Sequence, residues 1–260
     1  MRLIGKLLLI LLCCGMSIAL SAQPIQYSTA NAHSHNDYAQ DNPFWEAYNR
    51  QFGSMEADIF LLNNDETLWV AHTANELSTT KRSLDSLYLQ PLAKCIRTNK
   101  GHVYADSTRK LVLLVDIKTA AVPTLDRLVK LLQQYPDIIN CRSLQIAISG
   151  NRPDPQQFAT YPSFIWFDGS INTTYTKPAL SKIALMSASL KQFTQWNGES
   201  ELPANEQALL QTIIDKMHAL HKPVRFWAAP DNTTAWQTLK RLQVDYINTD
   251  HIDELTGFLK

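Results

Sequence analysis

The sequence predicts an α/β fold, a TIM-type (β/α)8 barrel in a single domain, and three observations carry that reading. Apolar strand-like runs alternate with helix-like stretches from end to end, with no linker, low-complexity tract or charge block between them. That alternation is the pattern of a parallel sheet with crossover helices. About eight strand candidates are present, the number that closes such a sheet on itself. The residues left after an N-terminal leader, 23–260, match the roughly 250 residues that one such barrel uses. A doubly wound open sheet is the alternative arrangement of the same elements.

The leader has the make-up of a secretory signal peptide over residues 1–22. Arg2 and Lys6 are basic, Leu7 to Leu12 begin an apolar run, and Ser21-Ala22 ends it with small residues before Gln23. The uninterrupted apolar run is short of the ~20 residues a membrane span needs. A lipidated cysteine at Cys13 or Cys14 would want a small residue before it, where this chain has leucine and cysteine. The mature chain is therefore expected to be secreted or periplasmic, without a stable transmembrane segment. Loss of Arg2 and Lys6 takes the formal charge from +0 to −2. A nearly neutral chain has no electrostatic footprint for nucleic acid. Cys95 and Cys141 remain after processing; two thiols make neither a disulfide scaffold nor a zinc site, and whether they pair is open.

Gln26 to Ala32 reads as the first strand and Ser54 to Leu62 as the second. Asn63-Asn64-Asp65-Glu66 is a turn by composition, and Thr67 to Ala71 is a short strand after it. Ser83 to Thr98 has helical spacing with a break expected at Pro91. Leu111 to Ile117 is a continuous apolar strand of the kind buried on both faces. Val122 to Gln134 is an amphipathic helix with Leu125, Leu128, Leu131 and Leu132 on one side. Strands follow at Leu144 to Ser149, Ser163 to Phe167, Lys182 to Met186, Pro223 to Ala228 and Asp245 to Thr249. Helices are read at Asn205 to His221, Thr234 to Leu242 and His251 to Leu259.

Polar residues stand at or near the carboxyl ends of these strands, where such barrels collect their sites. His33-Ser34-His35-Asn36-Asp37 follows the first strand, Glu56 and Asp58 lie inside the second, His72 closes the third, and Asp116 and Lys118 close the fourth. Side chains two apart on a strand share a face, so Glu56 and Asp58 point the same way, as do Asp116 and Lys118. Crowded acids in a strand interior repel each other and lose hydration. A divalent cation would relieve both, and histidines beside it suit proton transfer at a phosphate ester. His102 reads as an exposed loop residue, His218 and His221 as favourable charges at a helix end, and Asp250 as the cap of the last helix.

The segments Ala32 to Tyr38, Asn42-Pro43-Phe44, Ser54 to Asp58 and Trp69 to His72 resemble the phosphodiesterase superfamily of glycerophosphodiester phosphodiesterases and phosphatidylinositol-specific phospholipases C. The likeness is to the branch that includes the fungal altered-inheritance-of-mitochondria protein 6. It extends to Leu87 to Leu92, Val115 to Lys118, Ser149 to Arg152, Arg225-Phe226-Trp227 and Ile247 to Asp250. The resemblance implies a barrel with a cation, Mg2+ or Ca2+, held by Glu56, Asp58 and Asp116. It implies an acid–base pair of His72 with His35 or His33. Two departures stand out. The third acid is commonly Glu in the glycerophosphodiesterases, whereas Asp116 followed by Lys118 is more similar to sphingomyelinase D enzymes. The usual His-Arg-Gly is His-Ser-His-Asn here, so the arginine that contacts phosphate is missing, and Lys118 or Arg152 is a candidate to replace it. Asn36 is a candidate to orient a ring or bind phosphate, and Trp227 to line the pocket.

The function these residues predict is a metal-dependent phosphoric diester hydrolase acting on small glycerophosphodiesters or phospholipid head groups. Two other functions compete. One is a metal amidohydrolase-like barrel, which would need histidines on middle strands, and there is none between His102 and His218. The other is a non-catalytic envelope protein that binds a phosphorylated ligand.

Overall fold

The computed structural model describes residues 26–63, 65–79 and 81–260; the expected leader, 1–22, lies outside the described residues. The strands are β1 (Ala32–Ser34), β2 (Ser54–Leu61), β3 (Leu68–Val70), β4 (Leu111–Ile117), β5 (Leu144–Gly150), β6 (Ile165–Ser170), β7 (Ile183–Ser189), β8 (Val224–Trp227) and β9 (Ile247–Thr249). Eight of them run parallel in the order β8-β7-β6-β5-β4-β2-β1-β9, with β3 antiparallel on β2. A lone parallel bridge from Arg225 to Tyr246, just before β9, brings the two edges together and nearly closes the barrel. The helices are α1 (Trp45–Asn49), α2 (Gln90–Thr98), α3 (Ala121–Leu132), α4 (Pro136–Ile139), α5 (Lys177–Leu180), α6 (Ala204–Ala219), α7 (Thr233–Arg241) and α8 (Ile252–Leu259). The expected α/β barrel is the observed fold. Among the described residues no helix is long and apolar enough to cross a membrane.

The period of two along each strand divides the apolar residues between two regions. Val112 and Leu114 of β4, Ala147 of β5 and Leu185 of β7 pack with Trp166 and Tyr246 inside the barrel. Their alternates, among them Leu113, Val115, Ile146, Ile148 and Phe167, belong to the larger core beneath the helices. Both faces of β4 are thus dry, which is why it reads as a continuous apolar run. The inward positions then turn polar toward the carboxyl end, at Glu56 and Asp58, Asp116, Ser149, Asp168, Ser187 and Arg225.

Several elements differ from the sequence reading, each for a local reason. Residues Thr29–Asn31 form a 3-10 turn rather than strand, because the Ser28 hydroxyl accepts from the Ala30 amide while Asn31 reaches back to the Ser28 amide. The first strand is therefore Ala32–Ser34, and His33 and Ser34 lie within it. The strand around Thr67 to Ala71 is not a barrel stave; the turn before it is too short for a parallel crossover, so it folds back antiparallel. Pro91 does not break its helix. It sits in the first turn of α2, where its missing N–H is not needed, after a π-helical turn at Asp85–Leu89. β6 runs on through Asp168 to Ser170, with a bulge between Phe167 and Asp168 where it meets β7. Cys95 and Cys141 are buried and unpaired.

Candidate functional site

Strand register assembles the carboxylates. Asp58 on β2 is the direct neighbour of Asp116 on β4, and Asp116 is the neighbour of Ser149 on β5. Glu56, two residues before Asp58, shares its face, and one oxygen from each of Glu56, Asp58 and Asp116 lies within 4.8 Å of the others. Ser149 donates its hydroxyl to Asp116 Oδ2 at 3.0 Å. Gly150, at φ +65°, lets the chain turn close to this acid; a Cβ there would collide with Asp116 Oδ1 and the Ile117 carbonyl. Lys118 Nζ stands 2.9 Å from Asp58 Oδ2 and 3.0 Å from Asp116 Oδ1.

The histidines occupy different surroundings. His33 is fully buried. Its Nδ1 is 2.8 Å from the Ser54 hydroxyl, and its Nε2 is 2.7 Å from Arg225 Nη1 and 3.2 Å from Glu56 Oε2. Nε2 thus faces a group that can only donate, Arg225, at the shorter distance and one that can only accept, ionised Glu56, at the longer. Burial, followed by the Arg225 charge, lowers the His33 pKa to about 4 and keeps the ring neutral. Both of its nitrogens are spent inside the barrel wall.

His35 is placed beside β9 because its amide donates to the Thr249 carbonyl. Its Nδ1 lies 2.9 Å from Asp250 Oδ1, and its ring lines the cleft with Glu56 and Asp116. Burial alone would lower its pKa, but the Asp250 hydrogen bond and the charges of Glu56 and Asp250 outweigh it and the net shift is upward. Asp250 is therefore not the helix cap expected from its position. Its amide is held by Asp231 Oδ2 at 2.7 Å, and its carboxylate goes to His35 instead.

His72 is more than half exposed, with Nδ1 3.2 Å from the Tyr38 hydroxyl and 3.6 Å from Asp58 Oδ2. Tyr38 ties this corner together, since its hydroxyl is also 2.8 Å from both Asp58 Oδ2 and Asn36 Oδ1. Asn36 takes a left-handed conformation, φ 46°, which asparagine tolerates better than most residues. The loop is anchored by buried Asp37, which accepts from Ser34, the Phe44 amide and Tyr88.

The far wall of the cleft is cationic and acidic by turns. Arg225 is 4% exposed and reaches Glu56 Oε2 at 3.5 Å and Asp168 Oδ2 at 3.9 Å. Burial opposes the charge on Glu56, yet Arg225 prevails and holds its carboxyl well below the usual range. Asp168 is buried, accepts from Ser187 at 2.5 Å, and its pKa is raised by burial. Arg152 donates to the Asp168 carbonyl, and Trp227 stands 43% exposed at the end of β8. His35, Glu56, Asp116, Lys118, Arg152 and Trp227 all face one cleft of about 490 Å3. A second cavity of about 770 Å3 adjoins it across Lys118, Gly150, Arg152 and Ser170.

The donor set suits a hard divalent cation. All three candidate ligands are carboxylates, their oxygens converge, and Asp58 Oδ1 is buried without a hydrogen-bond partner. Burial and the Glu56 charge push Asp58 up to about 6 despite Lys118, a strain that a cation between the acids would remove. The structure brings Glu56, Asp58, Asp116, Lys118, His35, His72 and Asn36 to one mouth, with Arg152 and Trp227 on its rim. His33 lies beneath them, fully buried and in contact with Glu56 and Arg225. The sequence reading gave no role to Tyr38, Asp168 or Arg225 and took Asp250 only for a helix cap, although Tyr38, Arg225 and Asp250 fall in segments it singled out.

Solved structures share this architecture. A glycerophosphodiester phosphodiesterase from Parabacteroides distasonis superimposes with a TM-score of 0.58 at 14% identity, covering 90% of this chain and 98% of that one. A Ca2+-dependent phosphatidylinositol-specific phospholipase C from Streptomyces antibioticus gives 0.59 at 10% identity over the same shares. At such identities the likeness is one of fold. The sequence matches go further. Residues 23–138 match the AIM6-like phosphodiesterase domain, and residues 223–253, which carry Arg225 and Asp250, match the glycerophosphoryl diester phosphodiesterase family. Together these matches make the chain similar to the PI-PLC-like phosphodiesterase superfamily. Within it the likeness is to the AIM6-like branch. Altered inheritance of mitochondria protein 6 from Kluyveromyces lactis is 26% identical over 88% of this chain and 72% of its own length. The homologue from Arthroderma benhamiae is 28% identical over 87% and 82%.

Proposed function

We propose that this protein is a metal-dependent phosphoric diester hydrolase that acts on glycerophosphodiesters or phospholipid head groups by histidine acid–base catalysis. One observation carries the reading: the oxygens of Glu56, Asp58 and Asp116 converge within 4.8 Å beside two histidines at one mouth of the barrel. A phosphodiester is anionic and resists attack. Mg2+ or Ca2+ held by these three acids would neutralise charge building on the non-bridging oxygens. Three acids suit Mg2+, which keeps several waters; the Streptomyces enzyme of the same fold is the Ca2+-dependent precedent.

The rest falls to the side chains. His35 and His72 divide the proton transfers, one taking the proton of the nucleophile and the other supplying one to the leaving oxygen. Asp250, although exposed, orients the His35 ring through its hydrogen bond to Nδ1 and stabilises its protonated form. Lys118 and Arg152 supply positive charge to the phosphoryl group in place of the missing arginine, and Asn36 and Trp227 border the substrate. The basic-then-apolar leader supports export.

The test is hydrolysis of bis-p-nitrophenyl phosphate and a panel of glycerophosphodiesters by the mature protein. A rate abolished by chelator and restored by Mg2+ or Ca2+ is expected; no metal-dependent rate on any diester would favour a binding protein. Phosphorus NMR of the product separates attack by water from attack by a neighbouring substrate hydroxyl. The pH profile tests His35. Asp250→Asn removes the carboxylate that raises the His35 pKa and is expected to lower it. The corresponding limb of kcat/KM then moves to lower pH whether the ring serves as base or acid. An unmoved limb would detach Asp250 from the chemistry.

A further inference from the structure

Lys118 stands where the proposed cation would need room. Its ammonium lies 2.9 Å from Asp58 Oδ2 and 3.0 Å from Asp116 Oδ1, two of the three carboxylates that converge. It serves one oxygen of each acid and leaves Asp58 Oδ1 buried and unpartnered. An ammonium and a divalent cation on the same carboxylates repel each other strongly at such distances. The lysine has somewhere to go. Its side chain is 30% exposed, and it forms part of the partition between the site cleft and the adjoining 770 Å3 cavity, whose lining it shares with Arg152. A turn about its flexible stem moves the charge from the acids toward Arg152 without leaving the site.

We infer that Lys118 is an internal counter-ion which the arriving divalent cation displaces, and that the freed ammonium then meets the phosphoryl oxygens of the substrate on the Arg152 side of the cleft. The inference rests on the reading of Glu56, Asp58 and Asp116 as a metal site. It has a thermodynamic consequence. A phosphoryl ligand that holds the displaced lysine favours the metal-bound arrangement, so metal and phosphate bind with positive coupling, and the coupling is reciprocal.

Calorimetric titration of the mature protein with Mg2+, with and without glycerol phosphate, tests this by binding alone. Wild type is expected to bind Mg2+ about fivefold or more tightly in the presence of glycerol phosphate. Lys118→Met and Lys118→Gln are each expected to bind Mg2+ alone about tenfold more tightly than wild type, with the coupling cut about fivefold or more. Lys118→Arg, which keeps a cation, is expected to bind no more tightly than wild type. Thermal melts show which variants are folded, and the Met and Gln variants stand in for each other if one is not. Mg2+ affinity unchanged or weakened in the Met and Gln variants overturns the inference, as does tighter binding with undiminished coupling. Absence of Mg2+ and Ca2+ binding to every form, wild type included, is a different failure: it removes the metal site itself, and this inference with it.

Discussion

Replacing His72 with alanine is expected to reduce turnover of a phosphodiester by about 10²–10⁴-fold, the range supplied by a positioned general acid or base. The metal affinity of the same variant should stay within about twofold of wild type. The geometry separates these two effects. His72 approaches Asp58 only through Oδ2, at 3.6 Å, and Tyr38 and Lys118 already engage that oxygen at 2.8 and 2.9 Å. Its removal leaves the three carboxylates in place. The ring is also more than half exposed, so its loss opens no cavity and should change stability by no more than about 0.5 kcal/mol. Turnover reduced less than tenfold, with the fold and metal site intact, would take His72 out of the proton-transfer pair. A collapse of metal binding would instead make it a supporter of the site.

Arg225→Met is expected to destabilise the fold by about 3–5 kcal/mol at pH 8, the cost of removing one partner from a buried ionic network. Arg225 is the cation that faces both Glu56 and Asp168, from 4% exposure, and it also donates to His33. Without it Glu56 loses its main charge partner and keeps only the histidines, Asp168 keeps Arg152 and the Ser187 hydroxyl, and His33 loses a hydrogen bond. The sign of the pH dependence follows. In the variant the folded-state pKa of Glu56 rises above its unfolded value and that of Asp168, already raised by burial, rises further, so the folded form binds more protons. Stability is then regained as pH falls and lost as it rises. Urea unfolding of wild type and variant at pH 5 and pH 8 reads both the size and the direction. A loss under about 1 kcal/mol at pH 8, or a larger loss at pH 5 than at pH 8, would show that Arg225 does not stabilise these acids.

The carboxylates were legible along the chain and the groups that govern them were not. Glu56 and Asp58 could be paired on one face from their spacing alone, and β4 could be bounded residue by residue because a strand dry on both sides is apolar at every position but its last inward one, Asp116. His33 and His35 also stand two apart, yet one is sealed and the other faces the cleft. The sequence put both after the first strand and carried no information about depth; β1 begins at Ala32 and takes in His33, which is fully buried. Arg225 lies 169 residues from Glu56, and Asp250 lies 215 from His35. No local pattern relates such pairs. Asp250 also sits just before a helix, where a cap is the ordinary expectation, and only the pairing of β1 with β9 turns it to His35.

Local periodicity by itself determined the strand–helix alternation and the acids at the carboxyl ends of the strands, because a period of two and a period of 3.6 are written in neighbouring residues. Closure decided the rest. Which histidine is wet, which arginine neutralises Glu56, and that Lys118 rather than solvent lies between Asp58 and Asp116 depend on strand order and register around the ring. Coulomb and solvation energies act through space, and a barrel brings its most distant strands nearest.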